Sequence, residues 1–181
     1  MPATDVRLIV LATVRHLEPA TGYAIRKRLV EQGVEAWGGV SVASIYSVLR
    51  TLTKHGQLEE LEDPTGVRRN TKAYRTTEAG RHEFLVLARR ALETVDPAHP
   101  LAFHVAITLT ALMPRELYIN ALEQRLATLE RNLNVELPDL EPEVRNAARL
   151  WRQLAETEAS WVRETIAAAA EAAGADSAAR R

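Results

Sequence analysis

One segment of the sequence carries polar side chains at the spacing of a helix surface. Within residues 41–55, bulky apolar residues recur at positions i, i+3, i+4 and i+7, which predicts a helix with a single apolar face. That face consists of Ile45, Val48, Leu49 and Leu52. Its burial turns the opposite side outward, with Ser44, Ser47, Arg50, Thr51 and Lys54, and Tyr46 at one flank. Such side chains form hydrogen bonds and ion pairs with base edges and phosphates, so the predicted chemistry is nucleic-acid recognition.

Neighbouring segments carry groups that could extend this surface. The helix start at Ser41 offers unpaired backbone N–H groups to a phosphate. A preceding helix over residues 22–32 places Tyr23 beside three cations. A hairpin over residues 58–76 has further cations at its turn, within reach of a minor groove or the phosphate backbone. They are Arg68, Arg69 and Lys72.

Each of these features alone has an ordinary structural explanation. A polar helix face opposite an apolar stripe is usually just solvated, and cations in a hairpin turn usually face water. Tyr23 and Tyr46 could equally be packing residues. It is the order of all the features along the chain that favours nucleic-acid recognition.

That order predicts a mostly α fold with a small β-hairpin wing. Helices over residues 6–17, 22–32 and 41–55 precede the hairpin, and Thr77 can cap a further helix after it. Three helices followed by a hairpin with a cationic turn form a winged helix-turn-helix, whose third helix enters the major groove of double-stranded DNA. We therefore expect residues 1–95 to form a DNA-binding domain.

The composition is that of a folded protein and removes several kinds of chemistry. Hydrophobic residues make up 46% and charged residues 26% of the 181 residues, and there is no cysteine. Disulfides, thiol nucleophiles and cysteine-bound zinc are thereby excluded. His99 and His104 do not share a helix face and lack a nearby carboxylate cluster, so we expect no metal. Without a phosphate-binding glycine loop or a nucleophile elbow, we expect neither a cofactor nor an enzyme.

Charge is distributed unevenly between the two halves. Residues 1–90 hold 14 Lys+Arg and 10 Asp+Glu, which leaves 9 and 14 of the totals of 23 and 24 for residues 91–181. The positive first half is compatible with phosphate contacts. No apolar run approaches the ~18 residues of a membrane span, so we expect a cytoplasmic protein without membrane contact.

The second half predicts a helical region that needs a packing partner. Apolar residues alternate at spacings of three and four, the heptad pattern of a helix-helix seam. They are Ile119, Leu122, Leu126, Leu129 and Leu133. The seam could pack within its own chain, but we favour pairing with a second copy. We assign residues 96–174, with helices over 101–112 and 144–172, to dimerisation and residues 175–181 to a disordered tail.

Aromatic residues in the same region could form a pocket. Phe103, Tyr118, Trp151 and Trp161 could line an apolar site for an aromatic or lipophilic small-molecule effector. The alternative is that they belong to the core, as large aromatics at helical spacing usually do.

Residues 5–90 also resemble a known family, the PadR-like bacterial transcription regulators. The matching stretches are residues 21–25, 40–52, 56–58, 68–69 and 72–80, the last of which includes Thr77-Glu78-Ala79-Gly80. The resemblance implies a winged helix-turn-helix and, in the longer members, a C-terminal helical region that mediates homodimerisation. A two-fold dimer would place two recognition helices about 34 Å apart and predicts a palindromic operator.

The resulting hypothesis is a homodimeric, DNA-binding transcription regulator, a repressor that a small-molecule effector releases from its operator. The alternative is a winged-helix adaptor that binds proteins without sequence-specific DNA binding, because a fold does not dictate a function.

Overall fold

The computed structural model describes residues 3–34, 41–62, 71–97, 99–136, 138 and 141–179. In chain order the elements are α1 (Ala3–Leu17), β1 (Ala20–Thr21), α2 (Gly22–Glu31), α3 (Val42–Lys54), β2 (Leu58–Glu62), β3 (Lys72–Thr76), α4 (Glu78–Glu93), α5 (Leu101–Ile107), a 3-10 turn (Thr110–Leu112), α6 (Arg115–Leu133) and α7 (Pro142–Ala179). The chain divides into two compact units, one of residues 1–91 and 101–113 and one of residues 92–100 and 114–181.

The first unit confirms the predicted fold class, mostly α with a β-hairpin wing. Its core surrounds α1, whose Val10, Leu11 and Val14 are fully buried and which packs against α2, α3 and β3. The helix α1 is therefore buried on most of its circumference. Segment 101–113 belongs to this unit as well. The division of the chain by its contacts therefore differs from the boundary at residue 95 that the sequence predicted.

The wing is a three-stranded antiparallel sheet rather than a bare hairpin. Its order is β1-β3-β2, with Ala20 opposite Tyr74 and Glu60 opposite the same residue on the other side. The sequence indicated only a break around Pro19, because a two-residue strand depends on its distant partner β3 rather than on a local pattern. Glu18 strengthens this junction by accepting hydrogen bonds from the backbone N–H and the hydroxyl of Thr76, both 2.6 Å long.

Two helix boundaries differ from the prediction. The helix expected over residues 101–112 ends at Ile107, where Thr108 and Leu109 donate backbone bonds three residues back and tighten the chain into the 3-10 turn. The last helix begins at Pro142, a residue suited to a first helical turn, and continues to Ala179. Residues 175–179, predicted as a disordered tail, are thus helical, because the alanine-rich sequence that leads into them has a high helix propensity. Residues 180 and 181 lie outside the described residues.

The turn between β3 and α4 depends on a glycine. The Thr77 hydroxyl donates to the Gly56 carbonyl at 2.7 Å and accepts from the Gly80 N–H at 3.0 Å. A Cβ at residue 80 would lie 1.9 Å from the carbonyl oxygen of Gln57. Gly80 therefore permits the close approach of α4 to the end of the third helix, and this is the physical reason for the Thr-Glu-Ala-Gly sequence.

Gly80→Ala is expected to lower the free energy of unfolding by about 3 kcal/mol, the upper end of overpacking costs, because the clash is with backbone. Gly56→Ala is the matched control. Gly56 has φ +70° but open space around it, so its substitution adds only backbone strain of about 1 kcal/mol. Urea unfolding followed by circular dichroism measures both, and equal losses would contradict the close contact at Gly80.

Candidate nucleic-acid interface

The third helix presents the polar face that its sequence predicts. Ile45, Leu49 and Leu52 are buried in the first unit, and Val48 is half-buried. Ser41 caps the helix by accepting a hydrogen bond from the Ser44 N–H at 3.2 Å. Burial of one face and capping of the start fix both the rotation and the first turn of α3.

Most of the residues expected to contact DNA lie exposed on the opposite side of α3. These are Ser41, Tyr46, Ser47, Arg50, Thr51 and Lys54, while Ser44 is half-buried. The Thr51 hydroxyl donates to the carbonyl of Ser47 at 2.9 Å, so its oxygen remains as an acceptor. The thirteen residues of α3 include no carboxylate, so this face carries only positive charge.

Two tyrosines meet over a glycine where α2, α3 and β3 come together. A Cβ at Gly22 would lie 3.0 Å from Cε1 of Tyr46 and 3.8 Å from Cε2 of Tyr74. Gly22 is buried, and Tyr46 is 36% exposed. The adjacent residues Gly22 and Tyr23 thus have different surroundings. Gly22 leaves room for the two tyrosine rings, whereas the Tyr23 side chain is 62% exposed on α2.

Tyr74 lies beside Tyr46 at the candidate interface, and the sequence analysis missed it. Burial raises the pKa of its phenol, and the negative charge of Glu60 raises it further, while Lys72 and Arg50 act in the opposite direction. The hydroxyl therefore stays protonated at neutral pH and can donate a hydrogen bond. No sequence pattern marks Tyr74, because its neighbours Tyr46 and Arg50 come from a different element.

In the described part of the wing, two cationic side chains form ion pairs with carboxylates. Lys72 forms an ion pair with Glu60, which raises the pKa of the lysine, and Arg75 pairs with Glu59 at 2.7 Å. A phosphate that binds Lys72 would have to displace Glu60. Arg68 and Arg69, the other predicted wing contacts, lie outside the described residues.

In the second unit, part of the predicted dimer seam is buried within the chain itself. Leu122 and Leu129 are buried where α6 packs against α7, while Ile119, Leu126 and Leu133 are half-buried. The apolar seam of α6 therefore has at least part of its partner in the same chain.

The four aromatic residues expected to form an effector pocket have different surroundings. Phe103 is buried in the first unit, with its ring centroid 6.1 Å from that of His104. In the second unit, burial raises the pKa of Tyr118, which is half-buried. Trp151 and Trp161 are both exposed and lie ten residues apart on α7, about 15 Å along its axis. The two tryptophans therefore do not enclose a common cavity.

A second residue missed by the sequence analysis is Arg125. Its guanidinium, 2% exposed, donates to Glu158 at 2.5 Å and to the carbonyl oxygens of Leu92 and Thr94. The sequence does contain an indication that Arg125 is buried, because it follows Leu122 by three residues and so lies on the apolar face of α6.

The described residues contain neither a candidate membrane-spanning helix nor a metal-binding cluster. None of their helices is long and apolar enough to cross a membrane. Nor do these residues contain a group of three or more His, Asp or Glu side chains that could hold a metal ion.

Comparisons with known proteins show what the first unit resembles. Residues 10–85 match the model of the transcriptional regulator PadR-like family. A similar solved structure is Bacillus subtilis PadR in complex with operator DNA, with 18% sequence identity, a TM-score of 0.41, and coverage of 90% of this chain and 98% of that one. A search of curated proteins gives no match. Over residues 10–85, then, the chain is similar to the PadR-like family of transcriptional regulators.

Proposed function

We propose that the protein is a homodimeric transcriptional repressor that binds a palindromic operator in double-stranded DNA and is released by a small-molecule effector. The observation that carries the DNA-binding part is the outward face of α3, where Arg50 and Lys54 lie among exposed hydroxyl groups on a helix without carboxylates. A helix of this shape and charge fits a major groove. The family match supports the regulatory role.

Within this face, Arg50 is the best candidate for reading a base. It is exposed on α3, and its positive charge acts to lower the pKa of the Tyr74 phenol on β3. An arginine can donate two parallel hydrogen bonds to guanine O6 and N7, a pattern that no other base presents. Lys54, Ser41 and Tyr74 then suit phosphates, which position the helix without reading sequence.

Arg50→Ala is expected to weaken binding to a cognate duplex by about 1–3 kcal/mol, or roughly 5–150-fold, with little change for an unrelated duplex. Duplexes selected from a random library supply the cognate sequence, and fluorescence anisotropy at a fixed salt concentration measures both affinities. Arg90→Ala is the control, because Arg90 is also exposed but lies on α4, outside the interface.

Two outcomes would count against this assignment. If Arg50→Ala kept the preference for the cognate duplex, the proposed reading face of α3 would be wrong. If the unmodified protein bound no duplex in a saturable way, the protein-binding adaptor would become the better explanation of the fold.

The homodimer is supported by an apolar surface on α7. Leu150, Trp151, Leu154 and Trp161 lie within about 100° of one another around the helix and are 54%, 59%, 60% and 38% exposed. Large apolar side chains grouped in this way on a surface usually mark an interaction site. We place the dimer contact on this α7 surface, together with the half-buried Ile119, Leu126 and Leu133 of the predicted α6 seam.

A further inference from the structure

The wing carries an acidic strand next to the candidate DNA-binding surface. Strand β2, Leu58–Glu62, contains three glutamates, whose carboxylates repel phosphates. Glu60 stands directly opposite Tyr74 of β3 in the antiparallel register, so the two side chains share one face of the sheet. Tyr74 lies beside Tyr46 of α3, where both rings approach Gly22. Glu60 therefore adds a negative charge at the edge of the candidate interface.

Glu60 forms an ion pair with a lysine on the same face of the wing. Lys72 precedes Tyr74 by two residues, so its side chain lies on the face that Glu60 and Tyr74 share. The ammonium group of Lys72 donates a hydrogen bond to Glu60, and this contact raises the pKa of the lysine above its ordinary value. Lys72 is thus charged at neutral pH, but its charge is compensated within the protein.

Stability does not explain this ion pair. The side chains of Lys72 and Glu60 are 63% and 31% exposed, and ion pairs between groups in contact with water contribute little to the free energy of unfolding. A phosphate is another partner that the lysine can take, because it presents negatively charged oxygens as a carboxylate does. Glu60 and a DNA phosphate therefore compete for the same ammonium group.

We propose that Glu60 is a specificity-determining residue, which withholds Lys72 from DNA phosphates and thereby weakens binding to duplexes that lack the operator sequence. This role rests on the proposed function, since it presupposes that α3 binds DNA. A protein can discriminate between partners by weakening the wrong complex as well as by strengthening the right one.

The two kinds of duplex depend on the wing to different extents. Phosphate contacts supply essentially all of the affinity for unrelated DNA, and on such DNA the protein can shift until a free lysine meets a phosphate. On the operator, the proposed base contact of Arg50 fixes the position of the protein, so a free lysine gains a contact only if a phosphate lies within its reach. Withholding Lys72 therefore lowers the affinity for unrelated DNA more than the affinity for the operator.

Glu60→Gln removes the competing charge and keeps the size of the side chain. At a salt concentration of about 0.1 M, we expect the affinity for an unrelated duplex to rise about fivefold. The slope of log K against the logarithm of the salt concentration should steepen by roughly 0.9, the value for one added phosphate contact. The affinity for the cognate duplex should change less than about twofold.

Fluorescence anisotropy over a series of salt concentrations measures these affinities for both duplexes. A lower ratio of cognate to unrelated affinity in Glu60→Gln would support the proposed role. An equal gain on the two duplexes, or no gain on the unrelated one, would overturn it.

Two further variants test whether the gain depends on Lys72. Glu60→Gln combined with Lys72→Gln should bind the unrelated duplex as the unmodified protein does, because the released cation is no longer present. Glu59→Gln is the matched control, since Glu59 pairs with Arg75 at 2.7 Å across the same two strands but on the opposite face of the sheet. It changes the net charge by the same amount and should leave both affinities within about twofold.

Two results from these variants would contradict competition for Lys72. A double variant that kept the gain would mean that Glu60 acts on the DNA directly. A similar gain in Glu59→Gln would mean that net charge alone is responsible.

The ion pair is also measurable without DNA. An NMR titration of the Lys72 ammonium group should give a lower pKa in Glu60→Gln than in the unmodified protein, because the carboxylate that raises it is gone. An unchanged pKa would overturn the proposal, since Lys72 would then not be held by Glu60. If the unmodified protein binds neither duplex, the proposed function fails and the role of Glu60 fails with it. If it binds duplex but Glu60→Gln gains nothing, only the role of Glu60 fails.

Discussion

Trp151→Glu combined with Leu154→Glu is expected to convert the protein to a monomer and to weaken its binding to a palindromic duplex by about 10²–10⁴-fold. The two side chains are the most exposed of the α7 apolar surface, at 59% and 60%. In a dimer, the carboxylates introduced at positions 151 and 154 would be buried without a cationic partner, next to the same carboxylates of the second copy. Without the dimer, each recognition helix binds one half-site alone, and the gain from linking two binding events is lost.

The matched control adds the same charge to the other side of the same helix. Gln153→Glu combined with Ser160→Glu changes exposed positions that lie about 160° and 180° from Trp151, and about 100° and 120° from Leu154, around the helix. Analytical ultracentrifugation gives the assembly state of both variants, and duplex titration gives their affinities. A Trp151→Glu, Leu154→Glu variant that remained dimeric would rule out this surface as the contact, and the half-buried α6 residues would then be tested next.

A related test separates assembly from DNA reading. The monomeric variant should retain its affinity for a single half-site, because the polar face of α3 lies in the other unit and is untouched. Its affinity should also stop depending on the spacing between two half-sites, which a two-fold dimer fixes near 34 Å. A loss of half-site affinity as well would point to damage to the fold rather than to loss of the dimer.

The sequence predicted best the features that depend on local spacing. The stripe of Ile45, Leu49 and Leu52 specifies both the helix and its buried face, because helical periodicity is a property of a few consecutive turns. The predicted cap at Thr77 follows equally from the side chain at one position, and in the structure its hydroxyl accepts a hydrogen bond from the Gly80 N–H. The polar face of α3 could therefore be predicted in nearly full detail.

Features that depend on distant partners could not be predicted in this way. Strand β1 exists only because Ala20 and Thr21 pair with β3, more than fifty residues later. The ion pairing of Lys72 with Glu60 follows from strand register, and it changes a predicted free cation into a paired one. Tyr74 joins the candidate interface for the same reason, through neighbours on α3.

The heptad pattern of α6 predicts a packing partner but does not identify it. Spacings of three and four at Leu122 and Leu129 require a second apolar helix, and the pattern alone does not say whether it comes from the same chain. The structure supplies α7 of the same chain for these two residues. The exposed apolar side chains of α7 then carry the argument for a second copy.

Arg125→Met is expected to lower the free energy of unfolding by about 3–5 kcal/mol. The guanidinium is buried and donates to Glu158 and to two backbone carbonyls, so its removal leaves a carboxylate and two acceptors without their donor. Methionine fills a similar volume, so most of the loss reflects unpaired polar groups rather than a cavity. Urea unfolding monitored by circular dichroism, to which the long helices α6 and α7 contribute, measures the change.

The control is a second arginine that joins the same two helices at the surface. Arg163 of α7 pairs with Glu130 of α6 at 2.9 Å, but both side chains are about half exposed. Water solvates these charges once the pair is broken, so Arg163→Met should cost no more than about 1 kcal/mol. Similar losses for the two variants would mean that the Arg125 guanidinium is solvated rather than buried.

A double variant distinguishes a favourable pair from one that is merely costly to break. In Arg125→Met with Glu158→Met, no carboxylate is left unpaired, and apolar replacements of buried pairs are often neutral apart from other lost bonds. We therefore expect the double variant to be more stable than Arg125→Met alone, with the carbonyls of Leu92 and Thr94 accounting for the remaining loss. If the double variant were the less stable of the two, Glu158 would stabilise the fold through contacts other than Arg125, and the buried pair would not be the main tie between α6 and α7.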